Sequence, residues 1–148
     1  MDSVDLPRRW LTSLNLKLFA TNSRHNQLPN LWCLCKVNIS PTILSSDSQC
    51  VSFSIVDNSK TIAIAAVYAS TNYLTRRQLW DSLNLLQFQY ALPWCFMGDF
   101  NVILGAHEHR GRILPARLPM EDFQVWTDTS DLIHLPTRGV EFTWANGR

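Results

Sequence analysis

Two alternating apolar runs, at 31–39 (LWCLCKVNI) and 51–56 (VSFSIV), stand out in the hydrophobic pattern of the chain. A polar, serine-rich segment at 40–49 separates them, so the pattern predicts two antiparallel strands joined by a loop. A turn-forming cluster at 57–60 is followed by TIAIAAVYAS (61–70), whose continuous β-branched and apolar character is typical of a strand buried on both faces. We therefore expect the middle of a sheet at 61–70.

The period of the pattern lengthens at 74–90, where apolar residues recur at intervals of three, four and six positions. The residues between them include Arg76 and Arg77, which we expect on the solvated face. This pattern predicts an amphipathic helix that begins near 71–72 and ends before Pro93. The apolar positions that set the period are Leu74, Trp80, Leu83, Leu86 and Tyr90.

A further strand-forming run, WCFMGDFN at 94–101, follows the proline. A strand, a helix and a strand in succession form a layered α/β unit. A shorter helix is predicted at 119–129, and GVEFTWAN (139–146) is predicted to be a final strand because apolar and polar residues alternate in it. The chain has 148 residues, 46% of them hydrophobic, so we expect one α/β domain over 1–148.

The formal net charge of +1 gives the chain no general attraction to nucleic acid, which usually binds strongly basic domains. A polyanion would therefore have to be bound by locally placed residues. The apolar run at 61–69 is too short to span a bilayer, and residues 1–5 do not form the basic start of a secretory signal. These features predict a nuclear or cytoplasmic protein that does not enter membranes.

Four cysteines, Cys33, Cys35, Cys50 and Cys95, are compatible in number with two disulfides or with a zinc site. Cys33 and Cys35 would face the same side of a strand, but no second close pair of Cys or His completes a zinc site with the usual spacing. We expect reduced, mostly buried thiols in a cytosolic or nuclear protein.

The segment PWCFMGDFNVIL (93–104) is almost wholly apolar except for Asp99 and Asn101. An ionised carboxylate among apolar residues is costly without a partner. Residues i and i+2 of an extended chain point to one side, and open sheets bind ligands beyond the carboxyl ends of their strands. One partner for this pair is therefore Mg²⁺, or a phosphate held through it. The alternative is an Asx turn made by Asp99, with Asn101 as a loop amide.

Two further residues are candidates for the same cleft. Tyr68 ends the predicted central strand, where its hydroxyl would reach a phosphate oxygen unless the residue belongs to the core. Thr143 lies on the strand face opposite Phe142 and Trp144, so it is either a polar cleft residue or a solvated strand residue.

The HEH triplet at 107–109 resembles a set of metal ligands, but it lacks the helical separation of zinc-binding HExxH sites. We expect it to form a polar loop at the rim of the cleft instead. Arg110 and Arg112 in the same region, and also Arg117, are candidate contacts to phosphates.

Several segments together resemble the endonuclease/exonuclease/phosphatase superfamily, and within it the endonuclease of plant LINE-type (non-LTR) retrotransposons. The resemblance runs from LNLKLFATN (14–22) onward over nearly the whole chain. Its most specific part is GDFN with VYA upstream and FTWANGR downstream. The segments are VYAST (67–71), RRQLWDSL (76–83), PWCFMGDFNVILGAHEHRG (93–111) and LIHLPTRGVEFTWANGR (132–148).

This resemblance implies a four-layer α/β/β/α sandwich, in which two sheets face each other between helices and of which this chain would hold an incomplete version. It also implies cleavage of phosphodiester bonds with Mg²⁺, DNA as partner and no small-molecule cofactor. By motif, Tyr68 would contact the scissile phosphate, and Asp99 would orient or deprotonate the attacking water and bind the metal. Asn101 would help to bind phosphate and metal, and Thr143 would lie in the DNA-contacting cleft.

The sequence departs from the family's pattern at both ends. An early strand that carries Asn, the Glu that is the main metal ligand, and a late Ser-Asp-His motif are not found. Groups that act as a unit lose nearly all of the rate when one is removed. We therefore expect a partial, catalytically incompetent domain of a magnesium-dependent DNA endonuclease. The alternatives are a non-catalytic remnant that binds nucleic acid or protein, and a gene-model piece of a longer active polyprotein.

Overall fold

The structure is a computed structural model that describes residues 8–111, 113 and 115–135. This part of the chain forms two β-sheets and three helices, so the predicted α/β class is confirmed. The predicted strand at 139–146 lies outside the described residues. In chain order the elements are α1 (Arg8–Ser13), β1 (Leu16–Thr21), β2 (Trp32–Lys36), β3 (Thr42–Ser46), β4 (Cys50–Asp57), β5 (Lys60–Tyr68), α2 (Tyr73–Gln89), β6 (Trp94–Asp99), a 3₁₀ turn (Ala106–Glu108) and α3 (Arg117–Thr129).

The larger sheet has the strand order β3-β4-β5-β6, with β5 paired on both sides. β5 runs antiparallel to β4 and parallel to β6, and α2 connects β5 to β6. The predicted strand-helix-strand unit and the central place of its first strand are therefore confirmed. In the parallel register Tyr68 lies opposite Asp99, so both residues end their strands at the same edge of the sheet.

The pairing predicted for the first two strands is wrong. β2 pairs with β1 in a separate sheet, and β4 pairs with β3, which forms inside the serine-rich segment that the pattern assigned to a loop. The physical reason is a tight turn before β4, where the Asp47 carboxylate accepts hydrogen bonds from the amides of Gln49 (2.7 Å) and Cys50 (2.9 Å). This turn reverses the chain at once, so the segment just before it becomes the partner strand.

The two faces of β5 differ in burial. Ala63, Ala65 and Val67 are at most 1% exposed and point toward α2 and α3. The opposite face is only partly covered, although Phe19 of β1 reaches across to Phe53 of β4 with 4.9 Å between ring centroids. The prediction that both faces are buried is therefore wrong for one of them, because within the described part of the chain only a two-stranded sheet lies against the four-stranded sheet.

Both long helices agree with the predicted positions to within two residues at each end. Asn72 caps α2, and its Oδ1 accepts hydrogen bonds from the amides of Leu74 (3.0 Å) and Thr75 (3.1 Å). In α3 the apolar residues Phe123 and Trp126 are buried. Among the helices in the described part of the chain, none is both long and apolar enough to cross a bilayer.

An aromatic cluster joins α2, α3 and the chain that follows β6. The centroid of the Trp80 ring lies 4.6 Å from that of Trp126 and 5.2 Å from that of Phe123. Phe100, just after β6, lies 5.3 Å from Phe123. The indole Nε1 of Trp126 donates to Oδ1 of Asn84 at 2.9 Å, so the polar edge of this buried ring is also satisfied. These contacts hold the end of β6 against both helices.

The four cysteines are free thiols, as predicted. Cys33 and Cys50 are buried, whereas Cys35 and Cys95 are only partly so. Burial raises the pKa of the Cys50 thiol from 9.0 to about 12, which keeps it protonated and unreactive at neutral pH. Cys50 therefore acts as a small apolar residue of the core, and its thiol lies 3.4 Å from the Ser52 hydroxyl.

Gly98 occupies the tightest position in the parallel pairing. Its φ is 132°, a conformation that other residues rarely adopt, and a Cβ there would lie 2.0 Å from the carbonyl oxygen of Val67. That oxygen belongs to the backbone of β5, so it cannot move aside as the end of a side chain would. Glycine is therefore required for β6 to lie against β5 at this level.

We expect Gly98→Ala to lower the free energy of unfolding by about 2–4 kcal/mol, because the new methyl group adds strain and separates two paired strands. Urea denaturation followed by circular dichroism measures this change. Gly111→Ala is the matched control, since a Cβ at Gly111 would meet only the side chain of the exposed His109. Equal stability of the two variants would contradict the argument.

Candidate functional site

A cleft of about 440 Å³ opens at the carboxyl ends of β5 and β6. Tyr68 and Asn101 line it from the strand ends, and Ser70 and Thr71 line it from the segment that leads into α2. The opposite wall comes from the connection between β1 and β2, and includes Arg24. Open sheets receive ligands at this edge because groups at the strand ends converge there without being covered by neighbouring strands.

The predicted site residues Tyr68, Asp99 and Asn101 all lie at this edge. The Tyr68 side chain is 43% exposed, so the alternative of a core tyrosine does not apply. Asp99 is the register partner of Tyr68 on β6 and is exposed, and its carbonyl accepts a 2.8 Å hydrogen bond from the amide of Ala69. Asp99 is not among the residues that line the cleft, although Tyr68 and Asn101 are.

Asn101 has a left-handed backbone, with φ of 49°, so the side-by-side geometry expected for an extended chain does not apply to Asp99 and Asn101. The Asn101 amide donates to Oδ1 of Asp99 at 2.8 Å, which is the Asx turn that the sequence left open as an alternative. The Asn101 Nδ2 donates to the carbonyl of Ala69 at 2.7 Å, across the gap to the end of β5. Hydrogen bonds, rather than strand geometry, fix these side chains at the edge.

Two oxygens of the pair, Oδ2 of Asp99 and Oδ1 of Asn101, make no hydrogen bond within the described part of the chain. Mg²⁺ is commonly held by one or two carboxylates together with waters and substrate phosphates, so a carboxylate oxygen and an amide oxygen are donors of the kind that it takes. Across residues 8–111, 113 and 115–135, no three side chains of His, Cys, Asp or Glu come together as a metal-binding group. The protein would thus provide two oxygen ligands to a cation at this edge, and water and phosphate would fill the other coordination positions.

The loop after β6 is organised by its own hydrogen bonds. The Glu108 carboxylate accepts from the amide of Leu104 at 2.8 Å, so Glu108 closes the loop. Arg110 is exposed in this loop and is not among the residues that line the cleft. The remaining two residues predicted for the site, Arg112 and Thr143, lie outside the described residues. Their proposed contacts to phosphate and DNA stay predictions.

Arg76 is buried, which corrects the expectation that its side chain is solvated. It is only 4% exposed, and its Nη1 donates to the carbonyls of Ser70 at 2.6 Å and Thr71 at 3.4 Å. Desolvation lowers the pKa of Arg76, while the charge of Asp122 raises it. Arg77 does lie on the exposed face, in a 3.1 Å ion pair with Asp122. The first turn of α2 lies over backbone carbonyls that need donors, and Arg76 supplies them.

Gln49 connects three parts of the cleft and was not predicted from the sequence. It is 8% exposed; its Oε1 accepts from the amide of Ser70 at 2.6 Å, and its Nε2 donates to the carbonyl of Thr75 at 3.0 Å. Its own carbonyl accepts from the amide of Tyr68 at 2.8 Å. The available signal was an amide just before an apolar strand, which is equally typical of an ordinary loop residue. Gln49 therefore positions the end of β5 and the start of α2 together.

Comparison of the chain with protein-family models and with curated protein sequences gave no match. The class of the protein is therefore defined by its fold and its cleft. It is a mixed α/β protein whose sheet ends in a polar cleft, and this cleft presents a hydroxyl, an amide and, beside them, a carboxylate.

We expect Gln49→Ala to lower the free energy of unfolding by about 1–3 kcal/mol, because it leaves a buried amide and a carbonyl without their partners. Gln78→Ala, the same substitution at an exposed position of α2, is the control, with an expected change within about 0.5 kcal/mol. Chemical denaturation of both variants measures the difference. Similar losses of stability would show that the Gln49 hydrogen bonds contribute nothing specific.

Proposed function

We propose that the chain is part of a magnesium-dependent phosphodiesterase domain of the endonuclease/exonuclease/phosphatase superfamily, with DNA as its substrate. One observation supports this proposal: Tyr68, Asp99 and Asn101 lie at the same edge of the sheet, where the parallel strands β5 and β6 end. The four-layer sandwich of that superfamily is the arrangement we propose for the domain. Two sheets, with α2 and α3 on the outer face of the larger one, are compatible with it.

Each of the three residues has its own part in the proposed binding of a phosphodiester. The Tyr68 hydroxyl donates a hydrogen bond to a phosphate oxygen. The Asn101 Nδ2 is already bonded to the carbonyl of Ala69, so Asn101 contributes its Oδ1 to the metal. Asp99 would offer its Oδ2 as a metal ligand, and in a domain with the remaining catalytic groups the same carboxylate would orient or deprotonate the attacking water. Mg²⁺, when bound, would neutralise the negative charge that develops on the phosphoryl oxygens in the transition state.

We further propose that this chain retains the ability to bind a phosphodiester but lacks the ability to hydrolyse it. Hydrolysis needs a group that positions or deprotonates water and others that stabilise the leaving oxygen, and groups of this kind act as a unit. At the strand ends, the described part of the chain offers one carboxylate, whose Oδ1 is already held by the amide of Asn101. The retained chemistry is therefore that of phosphate recognition.

Plasmid nicking in the presence of Mg²⁺ tests the proposed lack of activity. We expect the chain to convert supercoiled plasmid to relaxed circles no faster than Asp99→Ala does, because the carboxylate lacks the groups with which it would act. Nicking by the wild-type chain that Asp99→Ala abolishes would contradict this expectation and establish an active endonuclease.

Binding of a short fluorescent DNA duplex, measured by anisotropy with Mg²⁺ present, tests the cleft itself. We expect Tyr68→Phe and Asn101→Gly each to weaken binding by about five- to ten-fold, because each removes a polar contact to phosphate or metal. Glycine is chosen at position 101 because it tolerates the left-handed backbone there.

Tyr73→Phe is the matched control for this binding test, since Tyr73 lies in α2 and does not line the cleft. It should bind DNA as the wild-type chain does. Unchanged affinity in both Tyr68→Phe and Asn101→Gly would refute the assignment of the cleft.

A further inference from the structure

The wall of the cleft that faces the strand ends has no part in the function proposed above. It is formed by the connection between β1 and β2, at 22–31, from which Arg24, His25, Gln27 and Asn30 line the cleft. This wall and the strand ends come from distant parts of the sequence. A ligand that fills the cleft at Tyr68 and Asn101 therefore also contacts this connection.

A buried amide holds the wall in place. Asn22 is 2% exposed, and its Oδ1 accepts from the amides of Asn30 at 3.0 Å and Leu31 at 2.9 Å, which closes the base of the connection. The Asn22 Nδ2 donates to the Asn30 Oδ1 at 2.7 Å and to the carbonyl of Ser48 at 2.9 Å. The second of these bonds ties the smaller sheet to the turn before β4. The wall is thus positioned before a ligand arrives, which lowers the cost of binding.

The charge of the cleft comes from this wall. Among the described residues that line the cleft, Arg24 is the one Arg or Lys, and there is no Asp or Glu. The Arg24 Nη1 donates to the carbonyl of Leu28 at 3.0 Å, which orients the guanidinium and leaves its other N–H groups as donors. A near-neutral chain therefore carries a cationic group on the wall of the cleft that faces the strand ends, and such a group attracts phosphate.

We propose that Arg24 binds a backbone phosphate of a DNA strand, adjacent to the phosphate received by Tyr68 and Asn101. This inference rests on the proposed function and adds a second phosphate contact, from the opposite wall. Two phosphate-binding positions in one cleft fit a ligand with a repeated phosphate. The neutral amides of Gln27 and Asn30 lie beside Arg24 in the cleft and can form hydrogen bonds with the sugars and base edges of the same strand. Arg24 therefore supplies the charged contact of this wall, and the two amides supply neutral ones.

The test measures the affinity of the full chain for a short fluorescent DNA duplex over a series of salt concentrations. We expect Arg24→Gln to weaken binding about ten-fold and to reduce the slope of log affinity against log salt by about one, because one phosphate contact is lost. Glutamine is chosen because it removes the charge and keeps a polar side chain that donates hydrogen bonds. Arg24→Lys should recover part of the affinity and the full salt slope.

Arg77→Gln is the matched control, because it removes the same charge from an exposed α2 residue that pairs with Asp122 and does not line the cleft. Thermal unfolding of Arg24→Gln should match that of the wild-type chain, which separates lost contact from lost folding. Equal weakening by Arg24→Gln and Arg77→Gln, or an unchanged salt slope in Arg24→Gln, would overturn the inference. In that case a loss of binding in Tyr68→Phe would still support the proposed function, whereas no DNA binding by the wild-type chain at low salt would refute both.

Discussion

Gly98 brings the backbone of β6 so close to the Val67 carbonyl of β5 that no side chain fits between them. This approach sets the parallel register in which Tyr68 stands opposite Asp99, and the backbone bond from Ala69 to Asp99 continues it past the last strand residue. The aromatic cluster of α2 and α3 packs on the same strands from the helix side. The core and the cleft are thus two consequences of one strand pairing, and a change in that pairing would alter both.

Three buried polar side chains, of which only Arg76 is charged, hold the segments that surround the cleft. Asn22, Gln49 and Arg76 are each less than a tenth exposed, and each uses its side chain to satisfy backbone groups of an irregular segment. Buried polar groups cost free energy unless they are hydrogen-bonded, and here every one of these side chains has at least two bonds. These side-chain hydrogen bonds hold the loops at the edge of the sheet, because loops lack the regular backbone hydrogen bonds that hold strands together.

The proposed recognition of DNA does not depend on the net charge of the chain. Arg24 from one wall, with Tyr68 and Asn101 from the other, gives the cleft donors and oxygen ligands at separate points. A cationic group in a partly enclosed cleft acts on a phosphate more strongly than the same charge on an open surface, because less water screens it. Local placement therefore compensates for a formal net charge of only +1.

The sequence by itself determined the elements whose pattern is strong and local: the amphipathic helix α2 with its Asn72 cap, the apolar strand β5, the strand β6 and the paired polar residues at its end. The Asx turn at Asp99 was one of two alternatives that the sequence left open, and it depends on short-range hydrogen bonds between neighbouring residues.

Only the tertiary structure decided which strands pair, β3 with β4 and β2 with β1, because the apolar pattern of a strand does not specify its partner. It likewise decided that Arg76 is buried and that Arg24 faces the cleft. The burial of a polar side chain depends on what the rest of the chain places over it, and no period along the sequence records that.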